Sequence, residues 1–183
     1  MHFTAEHRFP CPPDGVVAVL TDPDFYRELE LPDLMLLDVQ QNDGILLRYE
    51  FTGSLDPIAL RLLGGTRLTW TQEVHLTDAS GGWLTFAAEA NPGMLHGRAD
   101  FVLELAAPVL ETRKSGPGGG AAVGSVTLRR LEGDLVVAIP VVGPMAERRI
   151  VPGVLTRLDV EADAVRVRIL RGQTAQADDN SAT

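Results

Sequence analysis

From residue 150 to residue 169 the apolar side chains Ile150, Val154, Leu158, Ala162, Val165 and Ile169 recur at spacings of four, four, four, three and four. That is one stripe of an amphipathic helix more than twenty residues long. At 1.5 Å per residue such a helix spans roughly 35–40 Å, and it needs a broad apolar surface to lie against. The approach to it is written in the chain from Gly133 onward. Leu135-Val136-Val137-Ala138-Ile139 alternates as a strand, Pro140 cuts it, and Pro144 is pre-set for the first turn of a helix. Pro152 falls about two turns in, where a proline removes a hydrogen bond and crowds the preceding turn. A kink or a late helix start near residues 148–153 is therefore expected.

The rest of the chain supplies strands. His2–Phe9 alternates, with Phe3, Ala5, His7 and Phe9 on one face. Pro10-Cys11-Pro12-Pro13 breaks it and starts a short helix, Asp14–Leu20. Asp22-Pro23 reads as a cap and first-turn proline for a second short helix, ending before Pro32. Leu34–Gln41 and Ile45–Phe51 form a hairpin joined at Asn42-Asp43-Gly44, where the Asp-Gly pair calls for positive φ. In the ambiguous stretch Thr52–Thr66, Ile58, Ala59, Leu62 and Leu63 read as one helical turn or two, stopped at Gly64-Gly65. Arg67–Thr77, Trp83–Ala90 and Leu95–Leu105 continue as a meander, each alternating apolar and polar. Gly116-Pro117-Gly118-Gly119-Gly120 marks a flexible loop within Pro108–Val123. A last strand from about Val126 to Ile139 leads to the long helix. Beyond Gly172 no large apolar residue remains, so residues 172–183 are expected to be a disordered tail behind one domain of residues 1–171.

This order gives an α+β fold: a curved antiparallel sheet of about six or seven strands, two short helices after the first strand, and a long C-terminal helix packed across the sheet. With 183 residues, one domain can bury a substantial core. A net charge of -9 argues against a nucleic-acid surface, which needs clustered Lys and Arg. Cys11 is the only cysteine, so no intrachain disulfide is possible. No apolar run approaches the ~20 residues of a membrane span, and the N-terminus lacks the apolar core of a signal peptide. A soluble cytoplasmic protein with no stable membrane insertion is expected.

The opening FTAEHRFPCPPDGVVAVLTDPDFY and the junction GDLVVAIPVVGPMAERRI resemble the START-like superfamily, the helix-grip fold also called SRPBCC or Bet v 1-like. Within it the chain is similar to a bacterial domain-of-unknown-function family that shares a strand ending in His-x-Phe-Pro and a Thr-Asp-Pro-Asp turn. The resemblance covers roughly residues 2–171. It implies a sheet gripping the long helix with room for a ligand between them. The superfamily holds lipid carriers, hormone receptors, aromatase/cyclases and oxygenase domains, so fold alone does not fix function.

A curved sheet under a helix leaves an elongated apolar cavity where small residues line the wall. Gly97, Ala99, Ala88, Ala90 and Gly133 sit among Phe86, Phe101, Trp70, Tyr49 and Leu135. His7, Gln72 and the Tyr49 hydroxyl fall on apolar faces by alternation and are the candidates for the few placed polar groups of such a site. The expected lining is His7, Tyr49, Trp70, Gln72, Phe86, Ala88, Ala99, Phe101 and Leu135 from the sheet, with Val154 and Leu158 from the helix. Each of these is equally a plain core residue taken alone. No catalytic constellation stands out. His2, His7, His75 and His96 show no metal-binding spacing, there is no Gly-x-Ser-x-Gly, and no cofactor or metal is expected. Asp22 and Asp24 read as helix-start capping, and Arg148, Arg149, Arg166, Arg168 and Arg171 as a polar helix face paired with Glu147, Glu161 and Asp163. The sequence thus points to binding or transport of a hydrophobic small molecule, with a lipid, polyketide-like or isoprenoid compound suited to the cavity. Two alternatives stay open: an aromatase/cyclase-type enzyme using His7 or Tyr49 as acid or base, and a partner-binding module with a vestigial cavity. The ligand and the oligomeric state are not legible.

Overall fold

The computed structural model describes residues 1–53, 67–106, 125–141 and 143–180, the side chains of 175–180 excepted. The ambiguous stretch after Thr52 and the glycine-rich loop lie largely outside the described residues. Seven strands form one antiparallel sheet: β1 (His2–Phe9), β2 (Leu34–Gln41), β3 (Ile45–Phe51), β4 (Thr69–Asp78), β5 (Gly81–Ala88), β6 (Leu95–Ala106) and β7 (Val126–Val137). Their order across the sheet is β1-β7-β6-β5-β4-β3-β2. The five middle-of-chain strands β2 to β6 are a simple meander, and β1 closes the sheet by pairing with β7, His2 opposite Asp134 and Phe9 opposite Thr127.

Two short helices follow β1: α1 (Pro13–Leu20) and α2 (Pro23–Glu28). Proline opens each, and the Asp22 side chain caps α2 by accepting from the Asp24 amide at 2.9 Å. The long helix α3 (Gly143–Asn180) packs against β1, β7 and α1. Its buried residues include Val151, Val154, Leu158, Ala162, Val165 and Ile169. Burying an aliphatic side chain of this kind contributes about 1.5–3 kcal/mol relative to leaving it in water, so the stripe is ample reason for the helix to dock. Facing it are the inward residues of the sheet, among them Phe3 and Phe9 of β1, Leu131 and Leu135 of β7, and Leu95, Ala99 and Phe101 of β6.

Several local expectations are corrected. The backbone stays helical from Gly143 across Pro152, so the late start near 148–153 does not occur. The helix does not stop at Gly172 but continues to Asn180. The β2–β3 hairpin forms as expected, closed by the Asn42 amide on the Gly44 carbonyl at 3.0 Å. None of its three loop residues adopts positive φ; among the described residues those values fall at Asp33, Gly81 and Val141. β5 ends at Ala88, which leaves Ala90 exposed, and Leu105 near the end of β6 is 65% exposed. Alternation placed both inward, but it loses its meaning where a strand runs past the edge of the layer that covers it. Among the described residues no helix is long and apolar enough to cross a membrane.

Candidate functional site

All eleven residues expected to line the interior are buried, and the register shows how they meet. Tyr49 of β3 stands opposite Trp70 of β4, and Trp70 opposite Ala88 of β5. One row along, Gln72 stands opposite Phe86, and Phe86 opposite Gly97, which pairs with Leu135. Leu84, Ala99 and Gly133 make the next row. The Trp70 and Phe86 rings lie 6.3 Å apart and tilted. Val154 and Leu158 bring α3 into the same interior.

Two of the small residues serve packing rather than space. A Cβ on Gly97 would stand 2.2 Å from the Phe86 ring, and one on Gly133 would stand 2.4 Å from the Ala99 Cβ and 2.6 Å from the Arg98 carbonyl. These positions are glycine because a neighbour already fills the room. Two hollows open elsewhere on the molecule. One, of about 450 Å³, lies on the outer face of the sheet and is lined by residues such as Thr71, Thr85, His96 and Arg98. The other, of about 510 Å³, lies between α2 and α3 beside Phe25, Glu28, Arg168 and Arg171.

The polar interior divides into two groups. The first is built from Tyr49, Trp70, Gln72 and a residue not anticipated, Arg157 of α3. The Arg157 guanidinium lies over the Tyr49 ring at 5.2 Å and the Trp70 ring at 5.5 Å. The Tyr49 hydroxyl, Trp70 Nε1, both amide atoms of Gln72 and Arg157 Nε are buried without a hydrogen-bond partner among the described residues. Arg157 is 5% exposed and has no ion pair among the described residues. Burial pushes the Tyr49 phenol up to about 12, against the opposing pull of Arg157, so it is a neutral donor at physiological pH.

The second group is fully engaged. Arg129 of β7 donates to Glu161 of α3 at 2.8 Å, both nearly inaccessible to water. Arg129 also donates to His7 Nδ1 at 3.1 and 3.3 Å, and His7 Nε2 bonds Asp159 at 3.0 Å. Since Nδ1 accepts, the proton sits on Nε2 and the ring is neutral. Burial first, and then the Arg129 charge, lower the His7 pKa below its ordinary 6.5. Thr127 donates to the Cys11 carbonyl at 2.6 Å, and Tyr26 to the Leu20 carbonyl at 3.0 Å. Burial raises the Cys11 thiol pKa, which leaves it unreactive.

Glu161 is thus a correction. It is not part of the polar helix face but a buried partner of Arg129, while Asp163 does pair with Arg166 on that face. Of the three polar candidates, Gln72 and Tyr49 share the first group and His7 belongs to the second. Arg129 was legible: residues 127, 129, 131, 133 and 135 share one parity of β7, and all five are buried. Arg157 and Glu161 each precede a stripe residue, Leu158 and Ala162, and widen the buried flank of α3. Among the described residues no group of three or more His, Cys, Asp or Glu could hold a metal ion.

The family described as "Protein of unknown function (DUF2505)" matches residues 4–169, nearly the whole of this architecture. The chain belongs to DUF2505. This DUF2505 chain also matches solved structures along almost its full length. A protein of Thermus thermophilus shares 15% identity, with 94% of this chain and 99% of that one covered and a TM-score of 0.56. A protein of Geobacillus kaustophilus shares 12%, covering 93% and 96%, with a TM-score of 0.55. The Bet v 1-type allergen Ara h 8.0201 shares 12%, covering 93% and 98%, with a TM-score of 0.50. At these identities the likeness is one of fold, and the DUF2505 fold is the START-like helix grip. No curated protein matches the chain.

Proposed function

We propose that this DUF2505 protein binds a hydrophobic small molecule between the inner face of the sheet and α3. One observation carries the reading: four neighbouring side chains, Tyr49, Trp70, Gln72 and Arg157, hold buried polar atoms that no group among the described residues satisfies, beside a largely apolar wall. Leaving a buried donor or acceptor unmade costs about 1–3 kcal/mol each, and folded proteins keep such groups few. A cluster of them on one patch is what a ligand site looks like before its ligand arrives. Phe86, Ala88, Phe101, Leu135, Val154 and Leu158 supply the apolar surround for a lipid, polyketide-like or isoprenoid body. Both ring nitrogens of His7 are already bonded, which supports binding over acid–base catalysis by that residue.

The test is direct. Native mass spectrometry of the purified protein, followed by organic extraction, should release an apolar molecule in stoichiometric amount, and the stripped protein should take up the neutral dye Nile red. Protein that carries nothing and leaves the dye dark would overturn the reading.

A further inference from the structure

Within the grip the described residues place three ionised side chains: Arg129, Arg157 and Glu161. His7 is neutral, because its Nδ1 accepts from Arg129, and Asp159 is 70% exposed and in water. Glu161 is spent on Arg129 at 2.8 Å. One positive charge is left over, and it is Arg157. Taking an ion out of water costs several kcal/mol unless an opposite charge and hydrogen bonds compensate it. Stacking on Tyr49 and Trp70 at 5.2 and 5.5 Å offsets part of that cost and holds the guanidinium in place.

Most of the unpartnered atoms in this patch are donors. The Tyr49 hydroxyl, Trp70 Nε1, the Gln72 Nε2 and Arg157 Nε all donate, and Gln72 Oε1 is the one pure acceptor. A patch with four free donors and one surplus positive charge is matched by a group that accepts several hydrogen bonds and carries one negative charge. A carboxylate does both: two oxygens, about four acceptor sites, and a planar shape that suits a guanidinium.

We propose that the ligand of this site ends in a carboxylate, seated on Arg157 and bonded by Tyr49, Trp70 and Gln72, with its apolar body running under α3. This rests on the ligand-binding reading above and specifies its chemistry. The guanidinium is permanently charged and already lies over two neighbouring rings, so little ordering remains to be done when the acid binds.

Affinities for dodecanoic acid, methyl dodecanoate and dodecyl phosphate, measured by Nile red displacement at pH 8 below their micelle concentrations, test it. The wild-type protein should bind the acid at least about tenfold more tightly than the ester, as removal of a charge-assisted contact predicts. In Arg157→Gln that preference for acid over ester should vanish. Tyr49→Phe, a milder change that keeps the fold if Arg157→Gln does not, should weaken the acid alone by several-fold. Equal affinity of wild type for acid and ester would overturn the carboxylate assignment and leave the ligand-binding reading standing. Tighter binding of the phosphate than the acid would also overturn it, in favour of a more highly charged head. Failure of all three to displace the dye, in a protein that binds the dye, overturns it too; a protein that binds neither dye nor amphiphile removes both readings at once.

Discussion

Glu161 lies out of reach of water, held by Arg129 at 2.8 Å. Remove the carboxylate and two guanidiniums remain in the grip with no anion between them. Glu161→Ala is therefore expected to lower stability by about 3–5 kcal/mol, the usual consequence of breaking a buried pair from one side. Replacing both partners, as in Arg129→Met with Glu161→Leu, should cost less than the single change, because no uncompensated charge is left behind. Urea unfolding of the wild type and the two variants measures the difference. These residues also show how a sequence conceals chemistry. Period-two parity on β7 puts Arg129 on the buried face, a signal the sequence reading left unused. Glu161 reads as part of a polar helix face, because spacing reveals which residues share a face and not how wide the buried part of that face is.

At the scale of elements, alternation and turn residues located the strands well, with β1, β2 and β3 bounded as the sequence suggested. The errors fall at ends, at Ala90, Leu105 and Gly172, where burial depends on what lies across the interface and not on local pattern. The small residues were legible as inward, but their purpose was not, since that depends on which side chain stands opposite. Gly97 faces the Phe86 ring and, at 2.8 Å, the Asp134 carbonyl, whereas Gly133 faces the Arg98 carbonyl and a neighbouring Cβ. Gly133→Ala should thus destabilise by about 1–3 kcal/mol, the range for overpacking, with no easy rescue. Gly97→Ala should be destabilising as well, and Phe86→Leu in the same chain should recover part of the loss. Thermal denaturation of the single and double variants decides it; equal behaviour of the two glycines would contradict the packing described.

Across the whole molecule, the His7–Asp159 contact straps the first strand to the last helix, while the burial of His7 beside Arg129 makes the fold sensitive to acid. The His7 pKa is lowered in the folded protein, first by burial and then by Arg129, while Asp159 and Glu161 pull the other way. The unfolded chain, with an ordinary value near 6.5, then binds more protons below that pH, and stability must fall as pH drops through it toward the folded value. Carboxylates held low, such as Glu89 beside Arg48, contribute only below their ordinary value of 4.5 and so lie outside this window. The melting temperature of wild type should decrease between pH 7.5 and 5.5 more steeply than that of His7→Gln. Parallel slopes would mean that His7 is not the group being titrated.

The pairing of β1 with β7 has a consequence for how the protein is made. As the chain leaves the ribosome, its first strand emerges without a partner and must wait until Gly133 and Asp134 have been synthesised before it can zip shut. The helix that seals the interior is later still. During that delay the β2–β6 meander carries an open edge at β6 and an uncovered apolar face, so the nascent protein depends on speed or on chaperones to avoid sticking to its neighbours.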